Sequence, residues 1–147
     1  MVLLRNFADN DAEEFQLKQN TNMSLEEIKA MFTQWKEKDY ARRYFEMFAV
    51  IKDAEIVGTI SLYQHSMNIV SCGPEIFECY RKQGLGEQAM LLAMDIAKIK
   101  GYKMVFQQIR VTNVASISLH DKLGFETSEQ IFKNRHGNEV LIYIKML

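Results

Sequence analysis

The sequence predicts an α/β domain, a mixed sheet with helices on its faces, and three patterns carry that expectation. Residues 45–51 and 55–64 are strand-like apolar runs joined by a polar turn at 52–54. Residues 84–100 repeat their apolar side chains at helical spacing. Beyond them, segments of strand and helix character alternate.

In chain order, residues 2–5 suit a short first strand, and residues 9–20 and 24–38 read as helices. The second helix opens on Ser24 with Glu27 three residues later, a pair that caps reciprocally. Ile28, Met31, Phe32 and Trp35 follow at helical spacing and read as core. After the strands at 45–51 and 55–64 comes a third at 70–79, broken by Gly73 and by the only proline, Pro74. The helix at 84–100 buries Leu85, Ala89, Leu92, Ala93, Ile96 and Ile99, with Gly101 placed as its C-terminal cap. Residues 103–109 form a strand and 113–123 a short helix stopped by Gly124. Two last strands flank a turn at His136, Gly137 and Asn138. The order is β-α-α-β-β-β-α-β-α-β-β, and the 147 residues fit one domain, 1–147.

Composition narrows the function. Apolar residues make up 48% of the chain, enough for a core. Eighteen basic residues against nineteen acidic ones give a charge of −1, so no nucleic-acid partner is expected. The densest basic cluster, Lys36, Lys38, Arg42 and Arg43, alternates with Glu37 and Asp39 and reads as a solvated helix face. The longest apolar stretches, such as 89–93, are too short to span a membrane. Residues 1–7 do not read as a signal peptide, so a cytoplasmic location is expected. Cys72 and Cys79 lack CxxC spacing and a neighbouring histidine, so no metal site is expected. On a single strand, their odd separation would turn them to opposite faces.

The most informative segment runs Tyr80-Arg81-Lys82-Gln83-Gly84-Leu85-Gly86, between a strand and the strongest helix. A helix N-terminus offers unpaired N–H groups and partial positive charge, which suit a pyrophosphate. Gly84 and Gly86 let the backbone approach a ligand without a Cβ between them, and Arg81 and Lys82 add charge. The turn alone leaves a ligand-free, glycine-rich connection equally open. Gly84, Gly86 and Ala89 also fit a dinucleotide fingerprint. That reading needs an acidic residue about twenty positions on, where Gln107, Gln108 and Arg110 stand instead.

Downstream, Asn113, Ser116 and His120 fall within roughly 60° of one another at about 100° per residue, a polar row along one helix edge. Ala115, Leu119 and Leu123 form the neighbouring apolar face. Asn113 is also a good N-cap, and a lone histidine beside a core stripe suits a structural role as well as a catalytic one.

Arg81-x-x-Gly84-x-Gly86, followed by Asn113 and Leu-x-x-x-Leu-Gly-Phe ending at Phe125, resembles the GNAT superfamily of acetyl-CoA-dependent N-acetyltransferases. The resemblance implies a central, mixed but mostly antiparallel sheet of about seven strands flanked by four helices. It implies that acetyl-CoA is the co-substrate, with Arg81, Lys82, Gln83, Gly84, Leu85 and Gly86 around its pyrophosphate. Backbone at Pro74, Glu75 and Ile76 would lie beside the pantetheine arm, and an N–H near Ile76 or Phe77 would hold the thioester oxygen. Asn113 would touch the cofactor where the sheet splays open. His120 stands where the family usually places a tyrosine that protonates the leaving thiolate; the phosphinothricin-type branch also has histidine there. Gln108 stands where some N-terminal-amine acetyltransferases place a glutamate base, and Pro74 removes one N–H from the strand beside the cofactor.

The reaction so implied is direct attack of a primary amine on the thioester through a tetrahedral intermediate. The amine must first lose a proton held to a pKa near 10.4. Glu75 and Glu78 are the nearby carboxylates; Glu75 is the expected base and His120 the expected acid, with plain surface charge the other reading of both carboxylates. The acceptor, a small-molecule or peptide amine, is expected between the two N-terminal helices and the last strand pair, and Asp9, Asp11, Glu13 and Glu14 point to a cationic one. A homodimer is an assembly the resemblance allows. The alternative is a non-catalytic acyl-CoA-binding or regulatory module on the same fold.

Overall fold

The computed structural model describes residues 1–19 and 21–147. The chain runs β1 (Leu3–Arg5), a 3-10 turn (Asp9–Asp11), α1 (Ala12–Gln19), α2 (Leu25–Trp35), β2 (Asp39–Tyr40), β3 (Arg43–Lys52), β4 (Glu55–Gln64) and β5 (Ile69–Ile76). A second 3-10 turn (Glu78–Tyr80) leads to α3 (Leu85–Ile99), β6 (Met104–Arg110), α4 (Val114–Lys122), β7 (Glu126–Thr127), β8 (Phe132–Lys133) and β9 (Glu139–Met146). The end predicted for the first helix, Asn20, lies outside the described residues.

One sheet organises these elements. Seven strands follow the order β1-β3-β4-β5-β6-β9-β7, with β2 beside β3 and β8 beside β9. Among the described residues every pairing is antiparallel except β5 with β6. The two sheet faces carry separate cores because strand side chains alternate. On one face Phe48, Val50, Ile60, Leu62, Val70 and Val105 pack against α3. On the other, Ala49, Ile51 and Ile56 meet Phe7, Phe15, Ile28 and Phe32 from the N-terminal segment, α1 and α2. The rings of Phe7 and Phe32 stack at 4.7 Å, and Phe15 meets Phe32 edge-on at 5.5 Å. Such pairs add about 0.5–1.5 kcal/mol beyond the area that they bury.

Local signals set the helix ends. Ser24 Oγ accepts from Glu27 N at 3.1 Å while Glu27 Oε1 accepts from Ser24 N at 3.2 Å, the capping box expected at the start of α2. In α3 the buried sector is Leu85, Ala89, Met90, Ala93, Met94 and Ala97. Its alanines let the helix sit close to the sheet. Ile99, expected in that stripe, is 85% exposed, because it stands about 120° from the line of alanines at 100° per residue. Ala115 is likewise exposed, while Ile117, Leu119 and Leu123 pack on the core.

Two further expectations change. β5 ends at Ile76, so Cys79 lies in the following 3-10 turn and does not share a strand with Cys72. The basic cluster is not a helix face: α2 stops at Trp35, Arg42 sits in the β2–β3 turn and Arg43 opens β3. Ala41 and Arg42 both have positive φ, 52° and 64°, as the tight turn between those strands requires.

Gly58 fixes how closely β4 and β5 approach. A Cβ there would collide with Glu75 O and stand 3.0 Å from Ile76 Cα, both backbone atoms that must move to admit it. Gly58→Ala is expected to cost about 1–3 kcal/mol of unfolding free energy. Urea denaturation checks this, and an unchanged midpoint would contradict the close approach.

Candidate active site

The single parallel pairing is short. β5 and β6 are in register only at Ile69 with Met104 and Val70 with Val105, and then they separate. The backbone groups that would have continued the ladder need other partners. Gln107, 7% exposed, supplies them: its Oε1 accepts from Cys72 N at 3.1 Å and its Nε2 donates to Cys72 O at 2.6 Å. On the other face Ser71 Oγ donates to Phe106 O at 2.5 Å and accepts from His65 Nε2 at 2.5 Å. Side chains thus stitch the mouth of the splay.

The register of β5 with β4 decides what remains along the splay edge. Gly58 lies opposite Ile76, and Phe77 N donates to Val57 O at 3.0 Å. Antiparallel alternation therefore turns the N–H positions of 72, 74 and 76 away from β4 and toward the splay. Gln107 takes the N–H of Cys72, and Pro74 brings none. The N–H of Ile76 is left facing the gap. Phe77, the other expected donor, is spent on Val57, and its ring is buried against Phe15 at 6.2 Å.

Beyond Ile76 the chain forms the glycine turn. Gly84 has φ +75°, a conformation that side chains rarely adopt, and is the N-cap of α3 without any side-chain cap bond. The first-turn N–H groups of α3 are not capped by that residue, and the helix dipole favours an anion beside them. Arg81 Nε donates to Ile76 O at 2.9 Å, which holds its guanidinium at the end of β5. Lys82 has φ 63° and is exposed. Lys52 Nζ reaches Gln83 Oε1 at 3.4 Å, bringing another cation to the turn. The one acidic side chain in the first turn of α3, Glu87, is paired with Lys122 of α4 at 2.7 Å. A Cβ on Gly86 would stand 3.8 Å from both Ile76 Cγ1 and Leu119 Cδ2, inside the notch between β5 and α4. The turn fits a diphosphate: left-handed glycine, uncapped helix start, surplus cations and a notch kept free of a side chain.

His120 occupies a different place from the one expected of a proton donor. It is 2% exposed, with Phe125 at 4.7 Å and Tyr143 at 5.8 Å between ring centroids. Its Nδ1 lies 2.7 Å from Ser116 O, an acceptor, so Nδ1 carries the proton. Nε2 is then the acceptor for Gln107 Nε2 at 3.1 Å. No N–H of this imidazole faces the splay. Burial pushes its pKa below the ordinary 6.5, against the pull of the Ser116 carbonyl and of Asp121. Asn113 caps α4, its Oδ1 accepting from Ser116 N at 3.1 Å. The polar row of Asn113, Ser116 and His120 therefore exists, as a cap and a buried anchor. The link Cys72–Gln107–His120–Ser116 ties β5 to α4.

Glu75 projects from the opposite face of β5, cross-strand from Thr59. Its Oε1 accepts from Gln19 Nε2 at 3.1 Å, and it lines a cavity of about 380 Å³ with Thr59, Met47, Phe15 and Trp35. Alternation from the Val70–Val105 pair puts Gln108 on that same face, across the splay. Glu78 lies in the 3-10 turn and not on the strand. The acidic residues near the N-terminus are largely spent in pairs: Asp11 with Arg5 at 2.7 Å, Glu14 with Lys18 and with Ile56 N at 2.8 Å. Burial pushes the Cys72 thiol up to about 12. Among the described residues no group of three or more His, Cys, Asp or Glu side chains is placed to hold a metal, and no helix is long and apolar enough to cross a membrane.

Residues 2–126 match the family described as acetyltransferase (GNAT) domain. The chain belongs to the GNAT acetyltransferase family. It is 29% identical over 103 residues to the SPbeta prophage-derived uncharacterized N-acetyltransferase YokL of Bacillus subtilis (strain 168), a match covering 68% of this chain and 58% of that protein. The matched region thus spans less than two thirds of that relative. The acetyltransferase of Salmonella typhimurium that modifies the N-terminal serine of ribosomal protein L7/L12 superposes with a TM-score of 0.82 at 18% identity, over 99% of this chain and 95% of that one. RimJ of Mycobacterium smegmatis, solved with CoA-disulfide, gives 0.81 at 15% identity, over 99% and 81%. These likenesses establish the GNAT fold, a mixed sheet flanked by four helices, as the resemblance implied.

The buried imidazole makes stability depend on pH. With its folded pKa below 6.5, His120 stays neutral in the fold while the unfolded chain takes up the proton first. Its contribution is complete above about pH 6.5 and is lost as pH falls toward the folded value. His65, pushed down by burial and then by Arg43, acts in the same direction. The urea midpoint is expected to fall between about pH 7.5 and about pH 5.5, and less steeply in His120→Phe. An identical slope in that variant would contradict the buried neutral imidazole.

Proposed function

We propose that this protein transfers the acetyl group of acetyl-CoA to a primary amine. The carrying observation is the adjacency of three features along some ten residues: Glu75 on one face of β5, the open N–H of Ile76 on its splay edge, and the uncapped α3 N-terminus at Gly84. In this reading Arg81, Lys82 and Gln83, with the backbone of Gly84, Leu85 and Gly86, hold the pyrophosphate, and Asn113 flanks the cofactor. Bound acetyl-CoA supplies an activated acyl thioester.

The residues of the chain then divide the work. Ile76 N–H points at the carbonyl oxygen; a fixed donor of this kind is worth about 3 kcal/mol when it meets developing negative charge. Glu75 takes the proton of the incoming ammonium, a step worth roughly 10²–10⁴-fold. His120 acts as a positioning residue: through Gln107 it fixes the splay. A thiol with pKa near 8.5 leaves without a dedicated acid at neutral pH, so the missing tyrosine is tolerated. Bringing amine and thioester together supplies the largest share. The alternative, an acyl-CoA-binding module without turnover, shares the seat and lacks the Glu75 step.

Calorimetry and a thiol-release assay over an amine panel test the proposal together. CoA is expected to bind the native protein, and Gly86→Val, which fills the notch, is expected to weaken binding at least about tenfold, since each 1.4 kcal/mol is a factor of ten. Thiol release with any amine supports the enzyme. Binding without release across the panel would leave the module, and unchanged affinity in a folded Gly86→Val would overturn the seat.

A further inference from the structure

The acceptor side of the sheet holds a trough with an unusual distribution of charge. The cavity beside Glu75 shares Met31 and Trp35 with a second cavity of about 490 Å³, so the two meet across α2. The far end is an aromatic box: Tyr40, Phe45 and Tyr63 lie 6.1–6.4 Å apart between ring centroids, with Trp35 on the remaining wall. Asp39 stands beside them. Among the described lining residues of both cavities the only charged side chains are Glu75 and Asp39, one in each.

Three nearby cations are turned elsewhere, and a fourth, Arg42, lies in the β2–β3 turn itself. Lys36 lies 3.8 Å from Asp9, Lys38 lies 3.4 Å from Glu46, and Arg43 Nη1 donates to His65 O at 2.8 Å. Asp39 and Tyr40 are presented by a hairpin in which Lys38, Ala41 and Arg42 all have positive φ, 54°, 52° and 64°. Such conformations are costly for residues other than glycine and cluster where a segment must hold a particular shape. The register gives the length of the trough. Glu75 is opposite Thr59, and Phe45 is opposite Tyr63. Four residue steps of β4 lead from Thr59 to Tyr63, about 13 Å at roughly 3.3 Å per residue, and the two strand spacings from β5 to β3, about 4.8 Å each, bring the diagonal to about 16 Å.

We propose that the acceptor is an elongated dication: a primary amine that reacts at Glu75 and a second cationic group, about 16 Å away, held in the aromatic box by Asp39. A cation over aromatic faces is attracted by their negative quadrupole, and the carboxylate adds charge pairing. The proposal rests on the acetyl-transfer reading. Two sources carry this chemistry: a long linear aliphatic diamine, and a peptide whose free N-terminus is followed about four residues later by a lysine, since extended chain spans roughly 3.3–3.6 Å per residue and the lysine side chain adds the remaining reach.

The test compares kcat/KM in thiol release for matched pairs. One arm sets 1,12-diaminododecane against dodecylamine; the other sets a pentapeptide amide with lysine at its fifth position against the same peptide with norleucine there. The dication is expected to be preferred about tenfold or more in at least one arm, which also identifies the source. Asp39→Asn and Tyr40→Leu, both at exposed positions, are expected to shrink that ratio toward unity. Turnover of the monoamines with no preference in either arm overturns the dication and leaves acetyl transfer standing. A preference that survives both substitutions overturns the box as its source. Absence of turnover with every amine, in protein that binds CoA, overturns the acetyl-transfer reading and the dication with it.

Discussion

Parallel strands that part company leave backbone donors and acceptors without a ladder, and this chain resolves that problem with side chains. β5 and β6 pair at two positions only, after which the amide of Gln107 stands in for a whole strand edge at Cys72. Each of those groups, left unmet in the interior, would cost about 1–3 kcal/mol. Gln107 has donor capacity left over, and His120 Nε2 takes it. The remaining imidazole proton goes to Ser116 O, so α4 is fastened to the strand whose edge it overlooks. Opening a slot in a sheet and anchoring the helix beside it are therefore one operation.

That operation separates the two sides of the proposed chemistry. The face packed on α3 contributes the cofactor seat, because the strand-to-helix turn at Gly84 emerges there. The opposite face, covered by α1 and α2, contributes the acceptor trough with Glu75 on its wall. The splay is where the faces communicate. Pro74 sharpens it: with Cys72 occupied and proline donating nothing, the edge presents the N–H of Ile76 without competitors. A proline within a strand thus suits this edge.

Much of this was legible in residues alone, and the exceptions have physical reasons. The capping box at Ser24 and Glu27, the helix after Gly84 and the glycine turn follow local rules that need no tertiary partner. The boundary of β5 did not follow, because Glu78, Cys79 and Tyr80 have strand-like neighbours but turn to deliver the chain to α3. The hairpin at residues 39–43 carries no sequence signal, because its turn uses Ala41 and Arg42 where glycine or asparagine is usual. In the sequence Gln107 reads only as a residue that is not acidic; its role depends on where β6 diverges from β5, which no periodicity encodes. His120 stood in the right row of α4, but the side toward which that row faces is set by the packing of Phe125 and Tyr143. Phe77 and Ile76 looked alike in sequence, and only the register with Val57 and Gly58 distinguishes them.

The claim at the centre is that the slot between β5 and β6 exposes one unshared backbone donor. Residue-resolved amide hydrogen exchange, with and without acetyl-CoA, measures it directly. Protection of Cys72 and Phe77 in the free protein, with Ile76 exchanging fast until acetyl-CoA slows it, is the predicted pattern. An Ile76 amide already protected in the free protein, or one indifferent to the ligand, would contradict it.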